Sequence, residues 1–232
     1  MTGGEALYRL QQLDSERDAT QDRLREIDAA LRDDTRLRRA RQALQEQEQE
    51  ARKWQARQRD LELEIESLAD KSARSEARLY GGKVTNPKEL TDLEAEIASL
   101  QRRRRRLEDQ LLEAMIEREG AEDTRDAAQT HLQETESTWS RTQADLRAER
   151  TGLEQRLQEI ERRRDEVAAH LDPQTLAAYN RLRELKGGQA VARLRADICT
   201  VCGVTISASA EWKLRQGELI HCDSCGRIIV SV

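Results

Sequence analysis

The chain has 232 residues, of which 37% are charged and only 3% aromatic, and phenylalanine is absent. That composition excludes an ordinary globular core for a chain of this length. Net charge is −5, so overall electrostatics indicate no general affinity for nucleic acid. No apolar run reaches the ~18–20 residues of a membrane span, and the N-terminus lacks an apolar signal-peptide stretch. We therefore expect a soluble, cytoplasmic protein without membrane contact.

The first long tract, residues 5–80, contains neither glycine nor proline. Charged side chains alternate there with Leu, Ala, Gln and Ile, a texture typical of long helices rather than of disorder. Apolar residues recur at spacings of three and four, and the register slips by one after Asp34. The pattern predicts one continuous helix whose heptad stripe carries a local stammer.

The second long tract keeps a more regular heptad pattern from Leu90 to Val167. Gly120 and Gly152 interrupt it, and each costs about 1 kcal/mol relative to alanine in a helix. We expect a bend or a close helix contact at these two glycines.

The stretch "YGGKVTNPKEL" separates the two tracts. Gly81 and Gly82 can both take the positive φ that ends a helix. Asn86 is a good N-cap, Pro87 suits the first helical position, and Glu89 completes a variant of the capping box. The first helix should therefore end just before Gly81, and the second should begin at Pro87.

Two arms of nearly equal length joined by a short loop predict an antiparallel coiled-coil hairpin over residues 1–171, with its tip at residues 81–86. A parallel coiled-coil dimer of unrelated helices is the alternative. If the residues next to the corner face each other, large side chains meet small or flexible ones further along. The expected facing sets are Trp54 with Ala114 and Met115, and Trp139 with Ala29 and Ala30.

Residues 172–188 predict a short helix and a linker. Asp172 caps the helix, Pro173 begins it, and Gly187 with Gly188 ends it. Its apolar face should pack against the base of the hairpin. That face comprises Leu176, Tyr179, Leu182 and Leu185, with Leu7 and Tyr8 as the expected partners.

All four cysteines lie in residues 189–232, in two Cys-x2-Cys pairs. Gly203 and Gly226 each follow the second cysteine of a pair, which lets the turn expose backbone N–H groups to sulfur. Two such pairs complete a tetrahedral site, so the pattern predicts one structural Zn2+ held by a small β zinc ribbon. Strands are expected near residues 190–195, 218–222 and 227–230. The predicted ligands are Cys199, Cys202, Cys222 and Cys225.

Other chemistry is open to four cysteines. Iron also accepts four thiolates, and His221 could compete as a ligand. A redox Cys-x2-Cys needs a thioredoxin-like context, and disulfides are not expected in a cytosolic chain. Catalytic zinc keeps a position open to water, whereas four cysteines close it.

Taken together, the charged hairpin, the "YGGKVTNPKEL" corner, the "YNRLRELKGGQAV" segment and the terminal "CDSCGRI" resemble a bacterial family of zinc-ribbon coiled-coil proteins. Members are usually described as predicted nucleic-acid-binding proteins. The resemblance implies a mainly α protein with a long antiparallel hairpin and a C-terminal zinc ribbon, and the four cysteines as zinc ligands. Some members act as adaptors for a flagellar sigma factor, type III secretion components or a flagellar transcript.

No nucleophile–base constellation and no phosphate-binding glycine loop is present, so we expect a non-enzymatic adaptor for a protein partner. At the tip, Lys83, Val84 and Lys88 are the candidate contacts, because the turn itself does not need them. A purely structural rod is a further alternative, but a rod would need no metal cap.

An RNA- or DNA-binding regulator is the other functional reading. The arginine run 102–106 could meet phosphates, although acidic residues flank it. Trp212 could stack on a base, yet we favour it as the core aromatic of the ribbon. A homodimer is also conceivable, since Arg104, Arg118 and Arg125 fall on the hairpin seam. The candidate nucleic-acid contacts in the ribbon are Trp212, Lys213, Arg215 and Arg227.

Overall fold

A computed structural model describes residues 2–231. Long helices form a coiled-coil hairpin followed by a small strand region, as the sequence predicts. No helix within that described range is long and apolar enough to cross a bilayer. The elements are α1 Gly3–Arg32, α2 Thr35–Tyr80, α3 Pro87–Ala168, α4 Pro173–Leu185, β1 Val191–Arg195, β2 Ile198–Cys199, α5 Ala208–Arg215, β3 Ile220–His221 and β4 Ile228–Val230.

The expectation of one continuous first helix is wrong. Helix α1 ends at Arg32, and Asp33 takes an extended backbone with φ −80° and ψ 102°. Asp34 then precedes α2, and its carbonyl accepts the first helical hydrogen bond from the N–H of Arg38 at 2.9 Å. The slip in the heptad pattern thus marks a break between two helices. Aspartate favours this break because its side chain competes with helical hydrogen bonding.

The corner between α2 and α3 forms where the sequence predicts it. Gly82 has the expected positive φ of 69°, but Gly81 has φ −74°. Gly81 is needed for another reason, because a Cβ atom there would lie 2.6 Å from the carbonyl oxygen of Ala77. On the other side of the corner, the Asn86 side chain accepts a hydrogen bond from the N–H of Lys88 at 3.0 Å and caps α3.

Glu89 stabilises the corner by a contact that differs from the predicted capping box. Its carboxylate accepts a hydrogen bond from Arg78 of α2 at 3.2 Å. Further along the same two helices, Ser75 donates to Glu96 at 3.3 Å. Both contacts join the end of α2 to the start of α3 across the corner, as an antiparallel hairpin requires.

Helix α3 runs for 82 residues through both of its glycines. A Cβ atom built at Gly120 or at Gly152 would meet no atom within 4 Å. The predicted close helix contact at these positions is therefore wrong, and both glycines are exposed on the helix surface.

The chain forms two compact units, and residues 34–142 are one of them. Its apolar core includes Leu37, Ala40 and Leu132, with Trp139 packed against them. The pairing expected for Trp139 is wrong, since Ala29 and Ala30 are exposed. The helix break changes the register on which that expectation rested. The two neighbours expected for Trp54 differ in burial, because Ala114 is buried whereas Met115 is 43% exposed.

The other unit comprises residues 2–33 and 143–231 and contains α1, the end of α3, α4 and the sheet. The strand order is β2-β1-β4-β3, with β1 and β4 parallel and the outer pairs antiparallel. Strands β1, β3 and β4 lie where the sequence predicts strands, whereas β2 and α5 were not predicted. We call residues 189–231, which carry the sheet and the four cysteines, the cysteine module.

Successive side chains of the strands point to opposite faces of the sheet, and both faces are buried. One face packs on helices α1 and α4, where Tyr179 is fully buried as the sequence predicts. The other face packs on the cysteines. Leu185 does not join the α4 apolar face, since it is 70% exposed. The helix-facing residues are Ala190, Val191, Ile228 and Val230, and the cysteine-facing residues are Ala192 and Ile229.

Candidate metal centre

The four cysteine sulfur atoms converge on one point, all within 4.8 Å of one another. Two of the separations are 3.9 Å, between Cys199 and Cys225, and 3.6 Å, between Cys202 and Cys222. A tetrahedral ion with metal–sulfur bonds of ~2.3 Å would set its ligand atoms roughly 3.8 Å apart. A disulfide would instead bring two sulfurs to ~2.05 Å. The cluster therefore fits a single metal ion.

Two tight turns position the sulfur atoms. The N–H of Gly203 donates to the carbonyl of Cys199 at 2.9 Å, and the N–H of Gly226 donates to that of Cys222 at 2.7 Å. Both glycines have positive φ, 74° and 72°, which only glycine adopts without strain. The positive φ at these two positions explains why a glycine follows each cysteine pair.

The four thiols do not share one environment. Cys199 and Cys222 are buried, whereas Cys202 and Cys225 are half-buried. Burial raises the pKa of Cys199 to about 11. Burial also acts to raise the pKa of Cys225, but hydrogen bonds from the backbone and side chain of Arg227, together with those from Cys222 and Cys202, outweigh it and bring that pKa down to about 6. The thiolate that a metal requires is therefore more favoured at Cys225 than at Cys199.

Arg227 connects the second cysteine turn to the segment between α4 and β1. Its Nε donates to the carbonyl of Gln189 at 2.8 Å, and Nη2 reaches that of Lys186 at 3.5 Å. The Lys186 ammonium lies beside Gly226, 3.8 Å from where a Cβ atom would be. Two cations thus lie near the sulfur cluster, whose charge would be negative with a divalent metal bound.

The remaining candidate nucleic-acid residues lie together on α5. Trp212 is 62% exposed, so the preferred prediction that it forms the core of the module is wrong. The core is aliphatic and sulfur-lined instead, with Ile206 and Ile220 beside the cysteines. Lys213 is exposed next to Trp212, and Arg215 pairs with Glu211 on the same helix.

The candidate partner contacts lie at the corner between α2 and α3. Lys83 and Lys88 are exposed, and Val84 is half-buried. The most exposed large side chain nearby was not predicted as a contact: Tyr80, at the end of α2, is 82% exposed. His221, the alternative ligand, has its Nδ1 against the carbonyl of Gly226 at 3.2 Å and is not part of the sulfur cluster.

Gln11 binds the cysteine module to helix α1, and the sequence analysis missed it. Its Oε1 accepts from the N–H of Ala190 at 2.6 Å and of Val191 at 3.2 Å, while its Nε2 donates to the carbonyl of Gly188 at 2.7 Å. The side chain is buried. A signal was present, because Gln11 lies four residues after Leu7 on the apolar stripe of α1.

Asp14 continues the same stripe and is fully buried. Its carboxylate accepts from Arg164 of α3 at 2.7 Å and from the Tyr179 hydroxyl of α4 at 2.8 Å. Arg17 and Arg183 lie within ion-pair distance as well. Burial and the Asp14 charge together raise the pKa of Tyr179 strongly.

Residues 8–187 match the model of the CT398-like coiled coil hairpin domain, and the chain belongs to that family. Uncharacterized proteins of two Mycobacterium tuberculosis strains are 33% identical over 184 residues, which covers 73% of this chain and 69% of each relative.

Solved structures share the fold over nearly the whole chain. CT398 from Chlamydia trachomatis matches with a TM-score of 0.71 at 23% identity, covering 98% of both chains. A Mycobacterium smegmatis protein matches with a TM-score of 0.74 at 23% identity, covering 100% of both chains. HP0958 from Helicobacter pylori gives 0.50 at 17% identity, covering 98% of this chain and 96% of that one.

Proposed function

We propose that this protein is a non-enzymatic, zinc-binding adaptor that presents its coiled-coil hairpin and a zinc ribbon to a protein partner. The observation that carries the proposal is the exposed tip, where Tyr80 is 82% exposed beside Lys83 and Lys88. Tyrosine is enriched at the energetic centres of interfaces, and a cationic rim favours an acidic partner surface.

The metal that we propose is one structural Zn2+. The sulfur separations suit a tetrahedral ion, and four cysteine ligands leave no position for water or substrate. That closed set supports a non-enzymatic role. Iron fits the same ligands. Metal analysis of the purified protein should give one zinc per chain, and one iron per chain with little zinc would contradict the assignment.

We place the partner among transcription or secretion proteins, of the kind represented by a sigma factor. The support is the resemblance of the corner, the Lys-Gly-Gly segment and the cysteine pattern, in that order along the chain, to bacterial adaptors of that kind.

The test is capture through the tip itself. A photo-crosslinking amino acid at Tyr80, introduced in the native host, should attach one protein reproducibly, and nuclease treatment should leave that product unchanged. The captured protein is then purified, and its affinity is measured directly. Lys83→Glu with Lys88→Glu should weaken binding by about tenfold or more, because two favourable charges become repulsive.

A matched control carries the same charge change away from the tip. Arg59 and Lys71 are exposed on α2, so Arg59→Glu with Lys71→Glu should leave the affinity nearly unchanged. Equal loss in both double variants would show a general charge effect and remove the tip from the proposal. Failure of Tyr80 to crosslink to any protein would remove it as well.

A second function, RNA or DNA binding, is favoured by one observation: the exposed Trp212 beside Lys213 on α5. Base stacking on an aromatic ring with an adjacent cation is how single strands are bound without sequence preference. Single-stranded RNA should then quench tryptophan fluorescence in a salt-dependent way, and Trp212→Ala should abolish the change. No RNA-dependent change at low salt would reject this function.

A further inference from the structure

Helix α3 carries an exposed apolar patch in its first half. Leu112 is 61% exposed, Met115 43% and Ile116 69%, and their spacing puts them on neighbouring positions of one helix surface. The residues that face α2 in this segment are different, since Ala114 and Ala121 are buried. We call Leu112, Met115 and Ile116 the outer patch. Contiguous exposed side chains of this size mark interaction surfaces more often than isolated ones do.

Opposite charges flank the outer patch at equal distances along the helix. Arg105 precedes it and Asp123 follows it, and both are the same number of residues from the midpoint between Leu112 and Ile116. At about 100° per residue, Arg105, Leu112, Ile116 and Asp123 share one face of the helix.

The flanking charges are also free to bind elsewhere. Within the part of the chain that the structure describes, neither Arg105 nor Asp123 has an ion-pair partner. Neighbouring arginines do, since Arg103 pairs with Glu64 at 2.5 Å and Arg104 with Glu108 at 3.0 Å.

We propose that the outer patch binds the same patch of a second copy of this chain, with the two α3 helices antiparallel across a two-fold axis. In that arrangement Leu112 faces the second copy's Ile116, and Arg105 faces the second copy's Asp123. A parallel in-register pairing would instead place arginine against arginine and aspartate against aspartate. The charge distribution therefore selects both the occupant and its direction.

The contact should be weak and concentration-dependent. The patch spans little more than one helical turn, so the area that it can bury is well below the roughly 1,200 Å² of a stable interface. We therefore expect a dissociation constant of micromolar order or weaker. Asp109 and Glu119 would face each other at the rim and oppose association. The arginines at the hairpin seam do not take part, because each is already paired within α3. The pairs are Arg104 with Glu108, Arg118 with Glu122 and Arg125 with Asp126.

Sedimentation velocity of the zinc-loaded full chain over a concentration series tests the proposal. The natural protein should show a reversible monomer–dimer equilibrium, and Ile116→Glu should raise the dissociation constant by about tenfold or more, since it buries a charge in the contact. Leu63→Glu is the matched control, because Leu63 is 58% exposed on α2 and should leave the equilibrium unchanged. Circular dichroism verifies that both variants keep their helicity.

A charge swap tests the direction. Arg105→Asp alone and Asp123→Arg alone should each weaken the dimer by about tenfold, and the double variant should restore it, because each pair is then opposite in sign again. Failure of the double variant to restore the dimer would overturn the antiparallel register. A monomer at all concentrations, a dimer unaffected by Ile116→Glu, or a patch that crosslinks to another protein in cells would overturn the second copy as the occupant. None of these outcomes depends on whether the tip captures a partner.

Discussion

At the residue scale, the carboxylate of Asp14 joins three helices beside the cysteine module. It is fully buried and is contacted by Arg164 of α3 and by Tyr179 of α4. A buried charge of this kind is tolerated because its partners satisfy it, and its removal leaves buried cationic and hydroxyl groups without an acceptor. Asp14 therefore fixes how the helices meet rather than adding an ordinary surface ion pair.

Asp14→Ala should lower the free energy of unfolding by about 3–5 kcal/mol, because it breaks a buried, paired network. Urea unfolding followed by circular dichroism measures the loss. Asp28→Ala is the control, since Asp28 forms a comparable but half-exposed pair with Arg150 at 3.5 Å, and it should cost about 1 kcal/mol or less. Similar losses for the two variants would contradict the role assigned to Asp14.

The Tyr179 hydroxyl makes stability sensitive to alkaline pH. Its pKa in the folded protein is raised by burial first and by Asp14 second, above the ~10 of an unfolded chain. The folded state therefore holds this proton more tightly, so its contribution to stability is complete below about pH 10 and is lost as pH rises further.

Denaturation midpoints measured from pH 8 to pH 11 should therefore fall above about pH 10 in the natural protein. Tyr179→Phe should be less stable at pH 8, because it loses the hydrogen bond to Asp14, but its midpoint should fall less steeply at high pH. Tyr8→Phe serves as the control, since Tyr8 is only half-buried. A parallel decline in the natural protein and in Tyr179→Phe would refute this source of alkaline sensitivity.

At the element scale, the ends of helices were predictable wherever backbone chemistry determines them. Asn86 and Asp172 cap α3 and α4 in the structure, and the short helix after Asp172 runs over the expected residues. The spacing of the cysteines likewise indicated the two glycine turns. These features depend on a few neighbouring residues, so a single sequence is enough to reveal them.

The features that the sequence analysis missed depend on contacts between distant segments. A stammer within one helix and a break between two helices both shift the heptad pattern in the same way. Only the packing of the helices decides which of the two forms after Asp34. Trp212 was preferred as the core aromatic of the ribbon, yet it is exposed, and aliphatic and cysteine side chains fill the module instead. Gln11 has its partners 177 to 180 residues away.

Glycines in and beside these helices should respond to alanine in opposite directions. Gly81→Ala should destabilise the protein by about 1–3 kcal/mol, because the new Cβ would collide with the carbonyl oxygen of Ala77. Gly120→Ala should stabilise α3 by up to about 1 kcal/mol, since its Cβ enters open space and alanine is the better helix former. Thermal unfolding followed at 222 nm compares the two. A stabilising Gly81→Ala would mean that the corner relaxes without strain.

At the scale of the whole molecule, the sheet connects the cysteine cluster to the helices of its own unit. Along β4, Ile228 and Val230 pack with Leu7 and Tyr179, while Ile229 packs with Cys199 and its neighbours. The cysteine cluster and the helices thus pack on opposite faces of one thin sheet. The cysteine face packs only against a small cluster of aliphatic and cysteine side chains, so we expect its order to depend on the proposed metal ion as well.

Chelation should therefore affect the chain unevenly. Removal of the proposed zinc with a strong chelator and reductant should leave most helical signal at 222 nm intact, because residues 34–142 have their own apolar core. Limited proteolysis should then cut between Ala196 and Gly226, where turns and short elements depend on the sulfur cluster. Readdition of zinc should restore protection, whereas zinc added to Cys202→Ser should restore it only in part, because one ligand is gone. Loss of most helicity on chelation would show that the metal supports the hairpin as well. Full protease resistance without metal would show that the apolar contacts of Ile206, Ile220 and Ile229 are sufficient to keep the cysteine module folded.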